Sequence, residues 1–157
     1  LSHNQNIIEF SPLAYKYLNN ISKKINTSKG GLLIIDYGYL EKKMKNSLQS
    51  VRKHKFSSIL KDLGNSDITY NVNFNLLKKI TKKLNLKVVG ITSQKNFLTK
   101  LGIMQRAEIL AKNLKFSKKA DIYYRLNRLI DNKFMGDLFK VMFVTKKNNK
   151  FKIGFEN

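Results

Sequence analysis

Ten consecutive residues, Gly30-Gly31-Leu32-Leu33-Ile34-Ile35-Asp36-Tyr37-Gly38-Tyr39, constrain the fold more than any other stretch of the chain. A glycine turn leads into four branched aliphatics in a row, followed by an acid, an aromatic and a third glycine. An apolar run without polar alternation is the pattern of a strand buried on both faces, as in a parallel sheet between layers of helices. Ligands of such sheets bind beyond the carboxyl ends of the strands. Asp36, Tyr37 and Gly38 stand at that end, which makes them the best functional address in the sequence.

The segments on either side agree with this α/β reading. Asn6 to Phe10 is a short extended piece. Ser11-Pro12 has the form of a helix start, with Ser11 as N-cap and Pro12 at the first helical position. Leu13, Tyr17, Leu18, Ile21 and Ile25 then recur at helical spacing. Between Glu41 and Asn71 periodicity is poor: Met44, Leu48, Val51 and Phe56 could support a short helix, and Asp62 to Asp67 reads as loop. Helical spacing returns at Phe74, Leu77, Ile80 and Leu84 behind an Asn73 cap, and 87–91 is a second strand. Ser93 caps a helix from Gln94 to Leu101, Gly102 breaks it, and Ile103–Leu114 and Ser117–Ile130 are two more helices. Leu138–Thr145 is a third strand. No repeat or linker divides the 157 residues.

Charge is the feature most open to misreading. The net charge is +21, which invites a nucleic-acid surface. Yet the basic residues are 27 Lys against 4 Arg, beside 18 Asn, 15 Ile and 4 Ala, the bias an AT-rich coding sequence produces. Arginine, suited to bidentate phosphate and base contacts, is the depleted one. Composition therefore disfavours nucleic acid as the partner, and Lys78, Lys79, Lys82 and Lys83 read as a solvated helix face. With no Cys, and with His3 and His54 outside any ligand-spaced cluster, a metal site is not expected. No apolar run reaches the roughly 20 residues of a membrane span.

The remaining polar residues are scattered. Asp36 suits either hydrogen bonding to a cofactor or substrate cation, or capping of the next turn. Arg52 and His54 fall in an irregular stretch, where functional residues concentrate. His54 is a proton-transfer candidate or simply a solvated imidazole. Asp67-Ile68-Thr69 has the look of an Asx-turn closure, and Gln94 helps start its helix.

In order, these segments resemble the carboxyl-terminal half of the MidA family of S-adenosylmethionine-dependent methyltransferases, which includes the mitochondrial arginine methyltransferase needed for respiratory complex I assembly. The resemblance rests on Glu9-Phe10-Ser11-Pro12, Leu33-Ile34-Ile35-Asp36-Tyr37-Gly38-Tyr39, Ser47-Leu48-Gln49 with Arg52-Lys53-His54-Lys55, and Gly64 followed by Asp67-Ile68-Thr69 and Val72-Asn73-Phe74. It continues through Ser93-Gln94 with Phe97-Leu98, Leu101-Gly102-Ile103 with Arg106, and Met135-Gly136-Asp137-Leu138-Phe139-Lys140-Val141. Asn73 stands where the family usually has Asp, and Ser93 where it usually has Thr; both keep a capping side chain.

The resemblance implies one partial domain over 1–157, the later part of a Rossmann-like seven-stranded methyltransferase sheet. Its fifth, sixth and seventh strands fall near 32–36, 87–91 and 138–145, with the seventh antiparallel between the other two. An inserted loop and helices occupy 41–85 and 94–131. The first residue is not Met, and the family's glycine-rich cofactor loop is missing, so the S-adenosyl-L-methionine contacts are expected upstream of Leu1 and the fragment alone is expected to be inactive. Asp36 and His54 become catalytic candidates; Tyr37, Gly38, Arg52, Asp67 and Gln94 become substrate-side candidates. The implied partner is a protein substrate, with a complex I subunit as one candidate, and a homodimer is compatible. The implied compartment is bacterial cytoplasm, or alternatively the mitochondrial matrix. The rivals are a basic nucleic-acid-binding module and a non-catalytic assembly factor that keeps the fold.

Overall fold

The computed structural model describes residues 5–28, 30–53, 55–61 and 64–156. Its first helix, α1 (Pro12–Thr27), begins as the sequence dictates: Ser11 Oγ accepts the Ala14 N–H at 3.1 Å, and Pro12 occupies a position that needs no donor. The chain turns at Gly30 into β1 (Gly31–Tyr39), which pairs antiparallel with β7 (Phe139–Thr145) from Gly31↔Thr145 to Tyr37↔Phe139. On its other side β7 pairs antiparallel with β6 (Lys87–Ser93). A two-residue strand, β5 (Val72–Asn73), lies parallel to the last residues of β1, in register with Gly38 and Tyr39. The strand order is β5-β1-β7-β6, with β7 as the antiparallel member between two strands that run the same way. The carboxyl ends of β1 and β6 thus share one end of the sheet.

Against one face pack α1 and α2 (Phe74–Lys83). Phe74, Met142 and Val144 are wholly buried there, joined by Ile25 and Leu86. Next along the chain, α3 (Gln94–Lys100), α4 (Ile103–Ala111) and α5 (Phe116–Ile130) form a helical layer, and α6 (Met135–Leu138) leads into β7. Gly102, at φ +80°, turns α3 into α4.

Three features differ from the sequence reading. First, β1 is not buried on both faces: Leu32 and Ile34 pack on the core, whereas Leu33, Ile35 and Tyr37 are 45–47% exposed. Along its outer edge β1 pairs with β5 at Gly38 and Tyr39 only. On that second face the described residues cover β1 only in part, Leu33 sharing a groove with Phe97, Leu101, Phe151 and Ile153. No described strand pairs with the full length of its outer edge. Second, the stretch expected to be a short helix and loop holds a separate antiparallel sheet, β3 (Lys55–Ser57), β2 (Gln49–Arg52) and β4 (Asp67–Thr69), in the order β3-β2-β4. Its inward residue is polar: Ser50 is buried, with its hydroxyl 2.9 Å from that of Ser57. Strands this short, with a serine facing in, leave little hydrophobic alternation to detect. Third, Asp67, Ile68 and Thr69 are strand residues paired with Val51, Ser50 and Gln49 rather than an Asx turn.

Candidate functional site

A groove of about 390 Å³ runs along β1 to its carboxyl end, between α1, β1 and α2. Its walls are apolar, built from Ala14, Leu18 and Ile21 of α1, Leu32 and Ile34 of β1, and Leu77 of α2. Of the helical stripe that the sequence advertises, Tyr17, Leu18 and Ile21 therefore line a cleft, while Ile25 reaches the core. Polar side chains lie where the groove meets the strand end: Glu9, Asp36, Tyr39, Tyr70, Asn71 and Asn73.

Alternation along β1 sends Asp36 into this groove and Tyr37 to the opposite face. Asp36 Oδ1 accepts the N–H of Tyr37 at 2.8 Å. Lys140 is directly across the ladder, but its ammonium turns to Asp137, bonding the carboxylate at 2.9 Å and also the main-chain carbonyl. Among the described residues Asp36 has no cationic partner, in a chain with 31 basic side chains. The Tyr37 ring stacks at 4.1 Å on Phe139, away from the groove. Gly38 is required by a close approach: a Cβ there would meet the Val72 carbonyl at 2.4 Å and the Phe74 ring at 2.5 Å.

The other sequence candidates are dispersed. Arg52 ends β2, and Asp67 begins β4 opposite Val51, so both belong to the accessory sheet. Neither lines the groove. His54 lies outside the described residues. Gln94 sits at the same end of the main sheet as Asp36, beyond β7. It is buried, and its Nε2 donates to the Leu129 carbonyl at 2.9 Å, bracing α3 against α5. Asn73 caps α2, its Oδ1 accepting the Leu76 N–H at 2.9 Å, and its Nδ2 donates to the Glu41 carbonyl at 3.3 Å.

Two contributors carry no local sequence signal. Glu9 reaches across 38 residues to the loop ahead of β2, accepting from Ser47 and Leu48. Tyr39 is buried, and its hydroxyl accepts the Lys45 N–H at 3.1 Å. The Lys45 ammonium lies 5.1 Å from the Tyr39 ring centroid and bonds Glu41. That bond holds the Glu41 carboxyl below the usual carboxylate range.

No three His, Cys, Asp or Glu side chains gather into a possible metal site among the described residues. An adenosyl cofactor in a sheet of this kind needs a glycine turn from strand into helix and a strand-end acid for the ribose. Here the strand-to-helix turns are Asn73-Phe74 and Ser93-Gln94, both closed by side-chain caps and neither containing glycine. The described residues do not make a cofactor site by themselves; they make an apolar cleft along β1.

A family model described as "Putative S-adenosyl-L-methionine-dependent methyltransferase" matches residues 1–92. Protein arginine methyltransferase NDUFAF7, mitochondrial, of Xenopus tropicalis is 27% identical over 142 residues, 90% of this chain and 33% of that protein. The chain therefore spans about a third of the length of this relative. A crystal structure of an uncharacterized protein from Burkholderia thailandensis superposes with a TM-score of 0.81 at 19% identity, covering 99% of this chain and 44% of the other. A second Burkholderia thailandensis structure, bound to S-adenosyl-homocysteine, gives 0.71 at 21% identity, covering 92% and 36%.

Proposed function

The chain belongs to this family of S-adenosyl-L-methionine-dependent methyltransferases, and from that membership we propose that it forms the acceptor side of an enzyme that methylates arginine side chains of a protein. The observation that carries the reading is the groove: an apolar cleft running along β1 to its carboxyl end, where the carboxylate of Asp36 stands without a cationic partner. An arginine offers the matching chemistry, an apolar stem with a planar cationic head whose N–H groups a carboxylate accepts. The name of the Xenopus tropicalis relative, an arginine methyltransferase, supports arginine as acceptor. The bound S-adenosyl-homocysteine of the second Burkholderia thailandensis protein supports the cofactor. The cofactor would be held mainly by parts of a longer protein, upstream of Leu1, in a seven-stranded sheet of which β1, β6 and β7 are the fifth, sixth and seventh strands.

Within this reading, Asp36 holds the guanidinium and the apolar walls orient its stem. Fixing the acceptor in line with a methyl donor is the main demand of such a transfer. The accessory sheet with Arg52 and Asp67 borders the acceptor's approach, His54 stays a catalytic candidate on the family resemblance alone, and Gln94 supports the helical layer from within. A respiratory complex I subunit is the candidate acceptor protein, and the mitochondrial names of the relatives favour the matrix as the compartment.

The test is methyl transfer from S-adenosyl-L-methionine to a complex I subunit by the longer protein, read as methylarginine by mass spectrometry. Asp36→Ala is expected to lower turnover at least about tenfold, the loss of one charge-assisted hydrogen bond. Unchanged turnover in Asp36→Ala and His54→Ala, with the fold intact, would remove both from the mechanism. Cofactor binding without any transfer would favour a non-catalytic assembly factor.

A further inference from the structure

We propose that Glu9 is a positioning residue: its carboxylate latches the loop before β2 to the segment entering α1, and so sets the rim over which the methyl acceptor enters the groove. The proposal deepens the acceptor-side reading above and rests on it.

One carboxylate here accepts three hydrogen bonds from two adjacent residues. Oε1 takes the N–H groups of Ser47 at 2.8 Å and Leu48 at 3.0 Å, and Oε2 takes the Ser47 hydroxyl at 2.6 Å. Ser47 Oγ in turn accepts the N–H of Asn71 at 2.9 Å, immediately before β5. Three remote pieces of chain, the approach to α1, the loop before β2 and the approach to β5, thus converge on one side chain. Gln5 closes the same loop from its other end, accepting the Met44 N–H at 2.8 Å and donating to the Met44 carbonyl at 3.3 Å.

The consequence for the site is geometric. Glu9 and Asn71 both line the groove, and Ser47 bonds to each of them, so the latch ties together two pieces of its lip. The loop contributes few buried apolar side chains beyond Met44. Its position must then come from hydrogen bonds, and the strongest of these are charge-assisted ones to Glu9. Among the described residues no cation competes for this carboxylate. Removing it frees two amides and a hydroxyl at once and lets the lip move, while β1, β7 and the core stay packed.

The experiment compares wild-type longer protein with Glu9→Ala, Glu9→Gln and Ser47→Ala by amide hydrogen exchange and by steady-state kinetics. Glu9→Ala is expected to lose about tenfold or more of the protection at Ser47, Leu48 and Asn71, with β7 amides unchanged. Its KM for the acceptor rises by roughly tenfold, while kcat and S-adenosyl-L-methionine affinity stay within about twofold. Glu9→Gln restores both, because the amide oxygen still accepts the two N–H groups. Ser47→Ala releases Asn71 but keeps Leu48 protected, which tests the latch even if Glu9→Ala does not fold. Unchanged exchange in Glu9→Ala and Ser47→Ala, or a fall in kcat without a rise in KM in Glu9→Ala, overturns the proposal. If wild-type protein shows no methyl transfer, the functional reading fails with it, whereas exchange alone still judges the latch.

Discussion

Gly38 is the residue at which the site tolerates least change. It allows the Val72 carbonyl and the Phe74 ring to close over the end of β1, and a methyl group there has no space. Overpacking of this kind costs about 1–3 kcal/mol. Gly38→Ala should therefore lower the midpoint of chemical unfolding and expose the β5 amides to exchange; an unchanged midpoint would show that the close approach is not required. Residue-scale features differ sharply in how legible they are. Ser11, Asn73 and Ser93 were readable as caps because each bonds an N–H three residues away. Glu9 and Gln94 bond across 38 and 35 residues. Their partners are set by the tertiary fold, so the sequence around Gln94 suggested a helix start but not its brace to Leu129. Asp36 was legible as a strand-end acid, but its lack of a cationic partner depends on Lys140 turning to Asp137.

At the scale of elements, α2 is held at its entry by Asn73, which is buried and bonds both ways, to Leu76 and to Glu41. Ser11 at the start of α1 makes a single cap bond in an exposed setting. Ala substitutions at caps cost about 0.5–2 kcal/mol. Asn73→Ala should fall near the upper end of that range and Ser11→Ala near the lower, measured by denaturant unfolding; equal costs would contradict the burial argument. Helices α1 to α5 and the three long strands were readable because each repeats its pattern over seven residues or more. The accessory sheet was not, since β2, β3 and β4 hold only four, three and three residues around a buried serine. α6, a single turn, and β5, two residues, are likewise too short to leave a period.

At the scale of the whole molecule, the branched aliphatics of β1 point to burial on two sides, while the described chain covers one fully and the other only in part. Leu33, Ile35 and Tyr37, together with the outer edge of β1, are the surfaces that the rest of a methyltransferase sheet would occupy in the longer protein we propose. The +21 charge does not gather on one element: lysines lie exposed on α1, α2, α3, α5 and the carboxyl-terminal segment. Such a spread fits compositional drift better than a single phosphate-binding face. The antiparallel insertion of β7 between β1 and β6 agrees with what the family resemblance implied and could not have come from periodicity, which carries no strand order. Isothermal titration of S-adenosyl-L-methionine into the protein extended upstream of Leu1, and separately into residues 1–157, tests the account's centre most directly. Saturable binding to the extended protein and none to residues 1–157 is the predicted result. Equal binding to both, or none to the extended protein, would contradict it.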